Sequence, residues 1–80
     1  MKRPTEKEKR LLRSVMGSRC KRAREELGLS QRKLAGMLGM SPSWVREYES
    51  GSQFPPAWLV ALLSEEAMVS VSWFYEGRNG

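Results

Sequence analysis

The chain of 80 residues contains no histidine, no aspartate and only one cysteine. A metal site of the His/Cys type and catalysis by a histidine base are therefore excluded, and the lone thiol of Cys20 has no partner for an internal disulfide. No paired carboxylates stand near a nucleophile, so we expect neither enzymatic activity nor a cofactor. A chain of this length buries only about 60% of its unfolded surface, which leaves little core to wall a deep substrate cavity.

Long apolar runs are also absent. The longest uncharged stretch of apolar character covers 11 residues, 54–64, and carries two prolines, well short of the ~20 residues that a membrane span needs. The basic N-terminus has neither the apolar core nor the small-residue cleavage site of a signal peptide. Together with the single cysteine, these absences predict a protein of the reducing cytoplasm with no membrane partner.

Positive charge, in contrast, is plentiful and unevenly distributed. Residues 1–24 carry a net charge of +8, whereas the remaining 56 residues carry −3. A basic segment joined to a mildly acidic body is typical of proteins that bind a polyanion. On charge alone, three interpretations stay open: a nucleic-acid partner, an anionic membrane surface, and a solvated helix that only confers solubility. The membrane surface is disfavoured because the apolar face beside these charges is needed for the core.

The first helix is predicted from its cap and its apolar spacing. Thr5 and Glu8 form a capping-box pattern, and apolar residues recur every three or four positions up to Gly28, which is well placed to end the helix. Gly17 lies inside this stripe and costs about 1 kcal/mol relative to alanine. Two interpretations follow: a continuous helix up to Gly28, or a helix that breaks at Gly17 and leaves residues 5–16 as a separate, loosely docked segment.

Four more short helices are predicted, and no alternating strand pattern is present. Their starts are marked by serine or proline at Ser30, Ser41, Pro56 and Ser70. Gly39 and Gly51 end the second and third helices, and the polar residues from Gly77 onward are expected to fray. The prediction is an all-α fold, a compact bundle of about five short helices, with residues 1–15 as a basic arm or helix extension and residues 16–77 as the domain.

The segment from Ser30 to Gly51 is the most informative part of the chain. Two helices of equal length are joined by a glycine-containing turn, which projects the outer face of the second helix so that it can enter a major groove about 12 Å wide. On spacing alone, the alternative interpretation is two helices of an ordinary bundle joined by a glycine turn. The surrounding motifs are Arg24, Gly28-Leu29-Ser30-Gln31, Leu34-Ala35, Leu38-Gly39, Ser41, Val45 and Tyr48-Glu49-Ser50-Gly51. In these positions the chain resembles the phage repressor and Cro family of helix-turn-helix proteins, the lambda repressor-like DNA-binding domains.

The resemblance implies a role for individual residues. The implied phosphate contacts are Ser30, Gln31, Arg32, Ser50, Ser52, Gln53 and Arg19. The implied base-reading positions on the second helix of the motif are Pro42, Ser43, Trp44, Arg46 and Glu47. Arg24 and Glu49 occupy the positions of a buried ion pair that joins the first helix to this recognition helix, which serves geometry more than net stability. The implied partner is double-stranded DNA.

Some residues depart from the pattern of the family. Pro42 donates no hydrogen bond at the first reading position, and Glu47 can accept one from a cytosine amino group but is repelled by phosphates. Residues 30–52 carry a net charge of only +1, so most of the attraction to phosphate must come from residues 2–24. Trp44 is expected to be exposed and to contact a thymine methyl or a deoxyribose, the alternative being packing against Met40 and Ser41 at the start of its helix.

The remaining expectations concern packing and partners. Cys20 and Phe74 are expected in the core, and Trp73 in an exposed patch that a second subunit covers. The resemblance implies a dimeric, sequence-specific transcriptional regulator, a repressor of a phage, plasmid or bacterium, with recognition helices ~34 Å apart on a near-palindromic operator. Because no effector domain follows Gly77, we expect regulation through protein level or a partner. The alternative is an antitoxin-like module in which the helix-turn-helix is secondary to binding a partner protein.

Overall fold

The computed structural model describes residues 1–76, which form four α-helices and one short 3₁₀ helix. The elements are α1, Glu6–Glu26; α2, Gln31–Leu38; α3, Pro42–Glu49; α4, Ala57–Ala67; and the 3₁₀ helix Val71–Phe74. These residues contain no strand, so the predicted all-α fold is confirmed. With 21 residues, α1 is longer than the short helices expected. The fraying predicted from Gly77 onward lies outside the described residues.

Side-chain caps begin the helices where the sequence predicts them. The Glu8 backbone N–H donates to Thr5 Oγ1 at 3.1 Å, and the Thr5 N–H donates to Glu8 Oε1 at 2.8 Å, which completes a capping box. The hydroxyls of Ser30 and Ser41 accept hydrogen bonds from the third N–H of α2 and of α3, at 3.0 and 3.3 Å. Each cap satisfies a backbone donor that has no partner inside its helix.

Of the two interpretations of Gly17, the helix break is wrong, because α1 continues through this residue without interruption. Gly17 is buried against the end of α3: a Cβ at this position would overlap the carbonyl oxygen of Tyr48 and lie 3.0 Å from that of Glu49. The missing side chain therefore allows close helix packing. Residues 5–16 are consequently part of a docked helix and not a loose segment.

The core lies where α1 packs against α3, α4 and the 3₁₀ helix, with α2 packed on α3. Its buried apolar residues are Cys20, Ala23, Leu34, Ala35, Val45, Tyr48, Leu59, Val60, Leu63 and Phe74. Cys20 and Phe74 are completely buried, as predicted. Burial, and secondarily the charge of Glu49, raises the pKa of the Cys20 thiol to about 12.

Trp73 is not the exposed residue that the sequence analysis expects. It is half-buried, meets the Phe74 ring edge-on at 5.0 Å between centroids, and is covered by the Arg19 guanidinium at 4.5 Å. The 3₁₀ helix turns Trp73 towards α1, and the exposed apolar residues near it are Met68, Val71 and Tyr75. Among residues 1–76, no helix combines the length and the apolar character required to cross a membrane.

Candidate nucleic-acid interface

The α2–turn–α3 unit is held by small residues at its crossing and by a left-handed glycine in its turn. Ala35 and Val45 have no exposed surface at all, so the two helices meet closely. Gly39 ends α2 with φ +68°, a conformation that residues with a side chain rarely adopt. The Met40 N–H then donates to the Ala35 carbonyl at 2.8 Å, which closes the turn. Ser43, Arg46 and Glu47, on the side of α3 away from the core, are exposed.

An open groove runs between the start of α2 and the outer face of α3. It is lined by Ser30, Gln31, Arg32, Pro42, Ser43 and Arg46. Three implied phosphate contacts and three implied base-reading residues therefore share one surface. Glu47 is exposed next to Arg46 on α3, so a carboxylate and a guanidinium stand side by side on this face.

Trp44 occupies a different position from the one expected. It is half-buried, with its ring edge-on to Tyr48 at 5.2 Å and nearly parallel to Trp58 at 6.0 Å between centroids. Trp44 and the core residue Tyr48 are four positions apart, which places them on the same face of α3. Trp44 is therefore not the exposed residue expected. It is packed, as in the alternative interpretation, but against Tyr48 and Trp58 and not against Met40 and Ser41.

A buried polar network joins the three helices of this region. Arg24 of α1 donates to Glu49 of α3 through Nε at 2.8 Å and Nη2 at 3.1 Å, and its Nη1 donates to the Leu29 carbonyl at 2.7 Å. The hydrogen bonds to Glu49 raise the pKa of Arg24 despite the opposing effect of burial. The guanidinium therefore stays charged, and its planar fork fixes the angle between α1 and the recognition helix.

Gln31 belongs to the same network, a role that the sequence analysis missed. Its Nε2 donates to Glu49 Oε1 at 2.9 Å. One of the two N–H groups of the Gln31 amide is thus engaged inside the protein, and the other is left for a phosphate. The partner lies 18 positions along the chain, beyond any local spacing rule, and the only sequence signal for it is the polar residue at the start of α2.

The residues after α3 form a second polar surface. The Ser50 hydroxyl donates to the Glu47 carbonyl at 2.9 Å and lies 3.0 Å from the Ser52 hydroxyl. Ser50, Ser52 and Gln53 are all exposed. Arg19, which the resemblance also assigns to phosphate, instead stacks on Trp73 where α1 meets the 3₁₀ helix. The structure therefore groups the hydroxyl and amide residues together and places Arg19 elsewhere.

Comparison with known proteins decides the family. Residues 15–65, more than half of the chain, match the family model of the helix-turn-helix domain. The chain belongs to the helix-turn-helix family. The matched range contains α2, the turn and α3, so the groove described above is formed by the segment that defines this family.

Two curated relatives of this helix-turn-helix protein are described as uncharacterized HTH-type transcriptional regulators. One is from Sinorhizobium medicae strain WSM419 and the other from Rhizobium meliloti strain 1021; each is 35% identical over 65 residues, or 81% of the chain. The chain spans about half the length of these relatives, 47% in each case. No solved structure matches the helix-turn-helix chain significantly. The first half of α1, before residue 15, lies outside the family match.

Proposed function

We propose that the chain is a sequence-specific DNA-binding transcriptional regulator that inserts α3 into the major groove. The observation that carries the proposal is the groove between α2 and α3, whose rim combines serine hydroxyls, Arg32 and Arg46. The relatives named as transcriptional regulators support it. In this proposal the protein acts in the bacterial cytoplasm by binding, with no catalytic step and no cofactor.

The bases are read from the outer face of α3. Ser43, Arg46 and Glu47 present the polar groups: a guanidinium is suited to the two acceptors of guanine, and a carboxylate to the amino group of cytosine. Pro42 contributes only an apolar surface. Trp44 packs on Tyr48 and Trp58 and supports the position of α3; its proposed contact with DNA is limited to the part of its half-buried ring that stays accessible.

Phosphate contacts surround this reading surface. The residues assigned to them are Ser30, Gln31, Arg32, Ser50, Ser52, Gln53 and Arg19. Ser30, Gln31 and Arg32 lie at the start of α2, where unpaired backbone N–H groups and the helix dipole favour an anion. The Gln31 amide uses one of its two N–H groups for Glu49, so the second N–H and the backbone N–H are the donors left for a phosphate. Arg19 would make its phosphate contact only after leaving its stack on Trp73.

The regulator is proposed to be a homodimeric repressor of the phage repressor and Cro type. Met68, Val71 and Tyr75 are exposed apolar residues, 90%, 42% and 40% accessible, near the C-terminal end of the described residues. A second subunit that covers these residues with its own copies of them would build a twofold interface. The two α3 helices would then read half-sites ~34 Å apart on a near-palindromic operator.

Selection of bound sequences from a random DNA pool tests the proposal. We expect a near-palindromic consensus with the purified protein. Glu47→Ala should change the preferred base at one position and cost about 1–3 kcal/mol on the original site. Glu65→Ala on α4, equally exposed and of the same charge change, is the control and should leave the consensus intact. Salt-sensitive binding without any consensus would contradict the proposal.

A second candidate function is an antitoxin-like protein-interaction module. The observation that favours it is the aromatic surface beside α3, where Phe54 and Trp58 are 43% and 51% exposed. Aromatic residues of this kind are enriched in protein interfaces. In this case the random pool yields no consensus, and Trp58→Ala weakens binding to the partner protein while DNA binding stays unchanged.

A further inference from the structure

The first half of α1 forms a second groove with the turn that follows α3. Its lining residues are Lys7, Arg10, Leu11 and Ser14 from α1, and Ser50 and Gly51 from the turn. On a helix, positions three and four apart face the same side, so Lys7, Arg10 and Ser14 form one row. We call this row, together with Ser50 and Gly51 opposite it, the α1 groove.

The α1 groove is rigid because the two backbones touch. A Cβ on Gly51 would lie 3.2 Å from the Ser14 Cα, and the Gly51 φ of +88° admits few residues other than glycine. Arg13 Nε donates to the Gly51 carbonyl at 3.2 Å, and its guanidinium lies 5.4 Å from the centroid of the Phe54 ring. Lys7 and Arg10 are therefore held at a fixed place beside the end of the recognition helix.

The charges of the α1 groove are not neutralised within the protein. Lys7 and Arg10 are exposed, and neither forms an ion pair with any residue in the range 1–76. The acidic residue Glu6, one turn away, is bound to Lys9 at 3.2 Å. The Ser50 hydroxyl lies on the opposite wall, and its proton is already donated to the Glu47 carbonyl at 2.9 Å. The donors that the groove offers to a phosphodiester are therefore the two cations of α1, Lys7 and Arg10.

We propose that Lys7 and Arg10 bind backbone phosphates of the DNA strand that flanks the major groove occupied by α3. The inference rests on the proposed DNA-binding function. It assigns a site outside the family match of residues 15–65. It also explains how a motif with a net charge of only +1 over residues 30–52 attracts DNA: two phosphate contacts come from a helix extension anchored to the motif by Arg13.

The salt dependence of binding to a short DNA duplex of random sequence tests the inference. Each phosphate contact contributes about 0.9 to the slope of log K against log salt between about 50 and 200 mM. Arg10→Ala should reduce the magnitude of the slope by about 0.9, and Lys7→Ala with Arg10→Ala by about 1.8. Arg10→Lys should restore it, because the contact depends on charge.

Arg22→Ala is the matched control. Arg22 is also an exposed arginine of α1, but it borders Trp73 and Ala67 at the other end of the bundle. Arg22→Ala removes the same charge from the same helix as Arg10→Ala and should leave the slope of log K against log salt unchanged. Equal slopes for Arg10→Ala and Arg22→Ala would overturn the inference while leaving the proposed function intact. Absence of DNA binding by the unaltered chain would overturn both.

Discussion

Replacing Gly17 by alanine tests the close contact between α1 and α3. In most helices this change is favourable, because alanine loses less conformational entropy than glycine and gains up to about 1 kcal/mol. At Gly17 the new Cβ would overlap the Tyr48 carbonyl oxygen and crowd that of Glu49. Both atoms belong to the backbone of α3, so no side chain can rotate away. The helices must separate instead.

The cost of separation exceeds the gain in helix propensity. Overpacking of a close contact costs about 1–3 kcal/mol, and the upper end applies here because the obstacle is backbone. Separation also lengthens the Arg24–Glu49 hydrogen bonds of 2.8 and 3.1 Å, which span the same two helices. After subtraction of the propensity gain, we expect a net loss of about 2 kcal/mol, or roughly 8–16 °C in melting temperature for a domain of this size.

Urea or thermal unfolding followed by circular dichroism measures this difference. Gly36→Ala in α2 is the control, since a Cβ there meets nothing within 4 Å. It should raise the free energy of unfolding by about 0.5–1 kcal/mol. The same glycine-to-alanine change is thus expected to lower the free energy of unfolding at position 17 and to raise it at position 36. If the Gly17→Ala protein is as stable as the parent or more stable, glycine at position 17 is not required for the close contact between α1 and α3.

Two further predictions concern buried groups of the core. The Tyr48 hydroxyl has no hydrogen-bond partner among residues 1–76, so Tyr48→Phe should raise the free energy of unfolding by about 1 kcal/mol; a loss in urea titration would show that the hydroxyl is bonded. Burial raises the pKa of the Cys20 thiol from 9.0 to about 12, so the unfolded chain releases this proton first. The contribution of the Cys20 thiol to the free energy of unfolding is therefore complete below pH 9 and should be lost as the pH rises towards 12. Cys20→Ala should flatten this decline, and an unchanged pH profile would contradict it.

Local signals in the sequence were sufficient for the helix boundaries. A capping side chain accepts its hydrogen bond from the backbone N–H three positions later, as Thr5 does from Glu8 and Ser30 from Lys33. Both residues therefore lie in the same short stretch of sequence, and the cap can be predicted from that stretch alone. The start of α3 at Pro42 and its end at Glu49 follow from the same kind of rule. The order of helices and the outward face of α3 could therefore be predicted.

The errors occur where a residue's role depends on a distant partner. A glycine inside a helix either weakens it or permits close packing, and only the approach of α3 to Gly17 decides between these two. Gln31 donates to a carboxylate 18 positions away. For Trp44 a local signal was present, since its spacing from Tyr48 places it on the inner face; the match to a reading position outweighed that signal.

The hydrogen bonds of Glu49 bear on how a protein of this kind would distinguish its own binding site from other DNA sequences. One carboxylate on α3 accepts hydrogen bonds from Arg24 of α1 and from Gln31 at the start of α2. The start of α2 and the outer face of α3 therefore cannot tilt independently. If the proposed function holds, a base pair that pushes α3 outward would also withdraw the start of α2 from its phosphate. The two losses would occur together, so discrimination against such a site would exceed the value of the missing base contact alone.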